Sequence, residues 1–163
     1  MNLEDLKKEI PFKWRVQSAN QYDASCVAYI DARDVQDLLD DICGPENWCC
    51  KYEEHKGNLF CSIGIRDEFD TFTWKSDCGT ESNVEKQKGE ASDAFKRAAV
   101  MWGVFRFGYH LPIIKLDVIK DDNGKFKPAF NGQRIYSDKI TDACNYQLET
   151  KYLKSTNGKY TKK

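Results

Sequence analysis

The sequence predicts an α+β fold: an antiparallel three-stranded meander packed by helices, with an N-terminal hairpin. Three observations carry that expectation. Apolar residues recur at helical spacing after Asp31, at a period of 2 from Asn47, and at helical spacing again between Glu85 and Phe107. The stretches of period 2 are separated by polar turns too short to do anything but pair neighbouring strands. The 163 residues, 40% hydrophobic and 13% aromatic, suffice for one domain with its own core over residues 1–153, leaving 154–163 as a flexible basic tail.

In chain order, residues 2–10 (NLEDLKKEI) suit one short amphipathic helix stopped by Pro11. FKWRVQS and SCVAYI, rich in aromatic and β-branched residues, read as two strands joined by a polar loop at 19–24. The clearest helix follows. Asp31 caps it, Asp34 sits in its first turn, Val35, Leu38, Leu39 and Ile42 fall at i, i+3, i+4 and i+7, and Gly44–Pro45 stops it. WCCKYEE then places Trp48, Cys50 and Tyr52 on one face of a strand. After a turn at 55–58, Leu59, Cys61, Ile63 and Ile65 alternate with Phe60, Ser62, Gly64 and Arg66, and after RDEFD, Phe72 and Trp74 share a face of a third strand. EKQKGEASDAFKRAAVMWGVFRF carries an apolar stripe through Ala91, Ala94, Phe95, Ala98, Met101, Trp102 and Phe105, with alanines small enough to bring a helix close to the sheet and Gly103 as its end or a kink. YHLPIIKLDVI supplies another strand, DDNG and FNGQ are turn signals, and SDKITDACNYQLETKYL reads as a final helix.

Several function classes are disfavoured. No apolar run approaches the roughly 20 residues of a membrane span, and MNLEDLKKEIPFKW carries acids where a signal peptide is apolar, so a cytoplasmic protein is expected. The 7 cysteines include no C-x-x-C pair and have only His55 and His110 to assist them. They read as reduced core residues, so neither a disulfide framework nor a metal site is expected, and no other cofactor. The absence of G-x-x-x-x-G-K-[ST] argues against a nucleotide-driven motor. A cysteine–histidine hydrolase needs groups from unrelated segments to meet, and Asp34, Asp37, Asp40 and Asp41 read as the wet face of a helix, so no catalytic residue is expected.

The net charge of −1 hides an asymmetry: residues 1–80 hold 9 Lys and Arg against 16 Asp and Glu, whereas residues 81–163 hold 16 against 10. On the long helix Lys88, Ser92 and Lys96 stack at i, i+4 and i+8, beside a mixed row of Lys86, Glu90 and Arg97. Lys96 and Arg97 stand together in an alanine-rich turn, where two long cations reach adjacent phosphates. A solvated helix face is the plain alternative.

The blocks YIDARDVQDLLDDICGPENW and CGTESNVEKQKGEASDAFKRAAVMWGVFRFG, with the meander between them, resemble the Rad fifty-two/twenty-two family of single-strand annealing proteins, particularly its phage members. The match covers roughly residues 11–110: a YI-x-x-x-x-V helix ending in G-x-x-x-W, the meander, and a K-x-E-A-x-D-x-x-KRA-x-x-x-x-G helix. The resemblance implies a β-β-β-α core assembled side by side into a ring, whose outer groove holds single-stranded DNA by its phosphates and presents its bases. It maps the family's basic pair onto Lys96 and Arg97 and another basic position onto Lys88. Arg33 stands one residue from a family basic position that Asp34 occupies. Val100 stands where the family has a basic residue one turn after the pair, so that contact either comes from Arg106 or is absent. Lys86, Lys13 and Arg15 complete the candidate DNA contacts.

Physical chemistry supports that transfer. Annealing holds DNA by its backbone and leaves base edges free, and pairing itself drives the reaction. Many weak sites on one ring multiply through effective concentration, which reconciles polyanion binding with a pI near 6.1. The implied function is sequence-independent single-stranded DNA binding and annealing in recombination and repair, by a phage-encoded homo-oligomer in a bacterial cytoplasm. A single-strand-binding protein or a recombinase is a candidate partner. Trp14, Trp48 and Trp74 are of the type that stacks on bases but read better as core. A double-stranded RNA-binding module, which shares the helix–meander–helix order, is the alternative.

Overall fold

Alternation in KWRVQSA and ASCVAY produces strands Lys13–Ala19 (β1) and Ala24–Tyr29 (β2), an antiparallel hairpin with a bulge between Val16 and Ser18. The Asn20 side chain accepts from the Tyr22 and Asp23 N–H groups and fixes the connecting loop. The computed structural model describes residues 2–79 and 86–163, without the side chains of 86–88 and 138. Asp31 opens the next element, the helix Ala32–Cys43 (α1), where Asp34 accepts from the Asp31 N–H at 2.7 Å. It buries Val35, Leu39 and Cys43 and leaves Asp37, Asp40 and Asp41 in water. The meander follows as Trp48–His55 (β3), Asn58–Arg66 (β4) and Phe72–Cys78 (β5), antiparallel and with β4 central. Beyond it lie the helix Lys86–Trp102 (α2), strands Ile114–Lys120 (β6), Phe126–Phe130 (β7) and Gln133–Arg134 (β8), and the helix Ser137–Lys151 (α3).

The chain packs as two compact units, one made of Met1–Ile10 with Ile30–Arg106 and the other of Pro11–Tyr29 with Phe107–Lys163. In the first, α2 lies along β4 and β5. Ala94, Ala98 and Ala99 are buried between Phe95 and Trp102, so small side chains bring the helix close to the sheet. The Trp102 indole N–H donates to the Ile63 carbonyl at 3.1 Å, giving a buried polar group its partner. This covers the face of β4 that carries Cys61, Ile63 and Ile65. The helix ends at Trp102 because Gly103 adopts φ +109°, and a β-carbon there would stand 2.7 Å from Lys7 Cγ.

In the second unit the strand order is β1-β2-β6-β7-β8. The hairpin is therefore completed by strands nearly a hundred residues further along the chain, through antiparallel pairs such as Ser25 with Lys115. One face is buried under α3: Trp14, Ala24, Cys26, Ile114 and Leu116 meet Ile140, Ala143, Cys144 and Leu148. Trp14 is held by its indole N–H, which donates to Asn145 Oδ1 at 2.8 Å, and by its backbone N–H, which donates to Thr141 Oγ1 at 3.1 Å.

Three local expectations differ from what is found. Residues 2–10 form only a 3-10 turn over Leu3–Lys7, because so short an apolar segment makes too few hydrogen bonds to offset helix nucleation. Residues 154–163, which composition presents as a tail, carry a hairpin between Tyr152–Lys154 (β9) and Tyr160–Lys162 (β10). Its turn is closed by the Gly158 N–H donating to the Ser155 carbonyl at 2.9 Å, and the Asn157–Gly158 pair is its sequence signal. Trp14 is core as expected, but Trp74 is 41% exposed on the open face of the meander.

Candidate nucleic-acid interface

Lys96 and Arg97 lie side by side in the middle of α2, at positions flanking the alanine stripe that fixes the helix on the sheet. Neither is buried. Arg97 faces β5, where one arm of its guanidinium meets the Asp77 carboxylate at 3.3 Å, while its Nε is buried without an acceptor among the described residues. No ion pair is formed by Lys96 among the described residues.

One helical turn beyond Arg97 the seam between α2 and β5 gains two more cations. Lys75 Nζ sits 4.3 Å from the Trp102 ring centroid and donates to the Met101 carbonyl at 3.1 Å. The Arg106 guanidinium donates to the Val100 carbonyl at 2.8 Å and to the same Met101 carbonyl at 3.1 Å. Both cations thus serve the Met101 carbonyl at the negative end of α2, and Arg106 adds a bond to the Val100 carbonyl, which also accepts the Gly103 N–H at 3.0 Å. The result is a row of Arg97, Lys75 and Arg106 along one seam, with Lys96 on the adjacent helix position. Its chemistry is that of a short anion track, with Asp77 as an internal competitor.

Of the candidates read from the sequence, Lys96, Arg97 and Arg106 are brought together. Arg33 is exposed in the first turn of α1, on a different element of the same unit. Lys13 and Arg15 are exposed on β1 in the other unit. Lys86 and Lys88 begin α2, and their side chains lie outside the described residues. Lys75 was not singled out from the sequence. Its signal is the alternation in β5, which puts Lys75 and Asp77 on the helix-facing side, where a lone lysine needs carbonyl partners.

The cysteines are free thiols, with Cys26, Cys43, Cys61 and Cys144 buried. Two pairs of neighbouring thiols influence each other's ionisation. In the first unit the Cys61 thiol beside Cys50 pulls the Cys50 thiol down to about 7 and is itself pushed up. In the second, Cys26 is lowered and Cys144 raised by the same pairing. Among the described residues no three His, Cys, Asp or Glu side chains gather in a way that holds a metal ion.

A model of the Rad52/22 family of double-strand break repair proteins matches residues 1–125. The single-stranded DNA-binding protein DdrA of Deinococcus radiodurans is 34% identical over 123 residues, 69% of this chain and 58% of that protein. DdrA of Deinococcus deserti is likewise 34% identical over 123 residues, 69% of this chain and 60% of that protein. The chain therefore spans less than two thirds of the length of these relatives. With the helix, meander and helix of the sequence blocks all present, the chain belongs to the Rad52/22 family of double-strand break repair proteins.

Proposed function

We propose that the chain binds single-stranded DNA without regard to sequence and anneals complementary strands in DNA repair and recombination, as a homo-oligomeric ring. The observation that carries this reading is the seam of Lys96, Arg97, Lys75 and Arg106 in a member of the Rad52/22 family. Cations in a row engage a phosphate backbone and leave base edges free to pair. Both DdrA relatives are named as single-stranded DNA-binding proteins, which supports that ligand. The reading assigns no catalytic step and no cofactor.

Both units serve one annealing domain over residues 1–153, with Lys88, Lys86 and Arg33 as supporting contacts from the first unit. Ring assembly is supported by exposed aromatic surface: Phe69 is 79% exposed and Tyr109 71%. A single-strand-binding protein or a recombinase is the kind of protein partner the reaction calls for. The bacterial source of both relatives supports a bacterial cytoplasm, whereas phage origin rests on the resemblance of the sequence blocks.

The test is the variant Lys96→Ala/Arg97→Ala. Its circular dichroism and mass by light scattering stay those of the parent, since the alanine stripe is untouched. Its plot of log K against log salt for single-stranded DNA is flatter by about 1.4 per engaged subunit, and it fails to anneal complementary oligonucleotides. Annealing at the parent rate refutes the reading, as does a clean monomer for the ring. Competition with duplex RNA at equal nucleotide concentration decides against the RNA-binding alternative if single-stranded DNA wins.

A further inference from the structure

The charge asymmetry of the sequence follows the structural units. Residues 11–29 and 107–163 hold 13 Lys and Arg against 7 Asp and Glu, a net +6, whereas residues 1–10 and 30–106 hold 12 against 19, a net −7. The seam on α2 therefore belongs to the acidic unit, and it accounts for none of the positive charge of the other.

That positive charge is ordered by the sheet. Strand alternation puts Trp14, Cys26, Ile114 and Leu116 under α3, so their neighbours point to the opposite face. The register carries one face continuously across the sheet. Arg15 pairs with Val27, Ser25 with Lys115, Ile119 with Lys127, and Ala129 with Arg134. Lys13, Arg15, Lys115, Lys127 and Arg134 thus share the face away from α3, where Asp117 is the carboxylate at a strand position. Asp23 meets the exposed Lys115 at 2.7 Å, a pair of the weak kind that a phosphate displaces, whereas Asp121, half-hidden and held by the Asn123 and Lys125 N–H groups, only approaches Lys127, at 3.9 Å.

Aromatic rings accompany the cations. Arg15 lies 6.0 Å from the Tyr29 ring centroid, and Arg134 lies 4.8 Å from that of Tyr136, which is 60% exposed. Rings beside cations serve a strand whose bases are unpaired, because base faces are hidden in a duplex.

We propose that this sheet face is a second single-stranded DNA-binding surface, in which Lys115, Lys127 and Arg134 join Lys13 and Arg15 in holding the backbone. It takes its ligand from the reading above but stands on residues of the other unit, and two of its cations lie beyond the residues the family model matches.

The experiment compares the full chain with Lys96→Ala/Arg97→Ala and with Lys115→Ala/Lys127→Ala/Arg134→Ala, using fluorescein-labelled oligothymidylate. The triple variant is expected to keep its circular dichroism and to flatten the salt dependence of binding by about 2, three contacts at 0.7 each. Lys115→Arg/Lys127→Arg/Arg134→Lys is expected to bind as the parent does. A parent-like salt slope in the triple alanine variant overturns this surface and leaves the seam standing. Loss in that variant with no loss in Lys96→Ala/Arg97→Ala supports the surface and refutes the seam. Equal loss for a duplex of the same length, or equal weakness in the charge-conserving variant, overturns the assignment to single strands or to charge respectively.

Discussion

The indole of Trp74 occupies the space over Gly64, its direct partner in the register of β4 and β5, so closely that a β-carbon on Gly64 would stand 2.9 Å from three of its ring atoms. The absence of a side chain at Gly64 is what lets a tryptophan lie on the open sheet face. Phe72 flanks it at 5.7 Å between ring centroids, and Lys51 Nζ lies 5.1 Å from its centroid. Gly64→Ala is therefore expected to lift the indole into solvent and to destabilise the first unit by about 1–3 kcal/mol, the usual range for overpacking. Urea denaturation measures the loss, and a red shift of tryptophan emission in the folded protein reports the displaced ring.

Asp77 restrains the cation that the seam most needs. Asp77→Asn removes a negative charge beside Arg97 yet keeps a carbonyl for the Cys78 N–H, which Asp77 now accepts at 2.8 Å. Single-stranded DNA affinity at low salt is expected to rise, with a salt slope steeper by up to about 0.7 as one more phosphate contact forms. Weaker binding in a fluorescence titration would mean that Asp77 positions Arg97 instead of competing for it.

Arg106 and Lys96 differ in what they do when no DNA is present. Arg106 closes two carbonyls at the end of α2, so Arg106→Ala is expected to cost about 1 kcal/mol of stability as well as affinity. Lys96→Ala is expected to leave the melting temperature within about 1 °C of the parent, because a surface substitution that breaks no bond costs little. Paired thermal melts and binding titrations of the two variants separate the roles.

The thiol pair on β3 and β4 has a pH signature. The Cys50 thiol, drawn down to about 7 by the neighbouring Cys61 thiol, ionises as pH rises through that value. Alkylation by iodoacetamide is expected to begin at Cys50, with a half-maximal rate near pH 7, while Cys26, Cys43 and Cys144 react only on unfolding. Cys61→Ala is expected to move the profile upward, towards an ordinary thiol. Peptide mass spectrometry across a pH series reads both outcomes.

What the sequence disclosed divides along the range of the interactions. The α1 helix and the meander are local patterns: Val35 and Leu39 declare a stripe, and the turns between Cys50, Ile63 and Trp74 are too short to allow another pairing. Lys96 and Arg97 could be placed on one helix for the same reason. The pairing of β2 with β6 was not legible, because nothing in SCVAYI records that its free edge meets residues 114–116. Lys75 was missed because its role depends on where α2 ends, and the common face of Arg15, Lys115 and Arg134 exists only once the strand order is known. The hairpin at the C-terminal end was masked by its lysines, although Asn157–Gly158 marked it.

The strand order of the second unit also governs synthesis and truncation. Its first hairpin leaves the ribosome more than eighty residues before the strand that completes its sheet, and until β6 arrives β2 offers a bare edge able to pair with any extended chain nearby. The intervening residues complete the first unit, whose opening segment, 1–10, precedes the hairpin, so that unit is free to fold while the hairpin waits. A fragment cut at residue 125, where the family match stops, keeps β6 but removes Asn145, Thr141 and every other contact of α3. Trp14 would then be left with no cover, and such a fragment is a source of aggregation in place of a minimal domain.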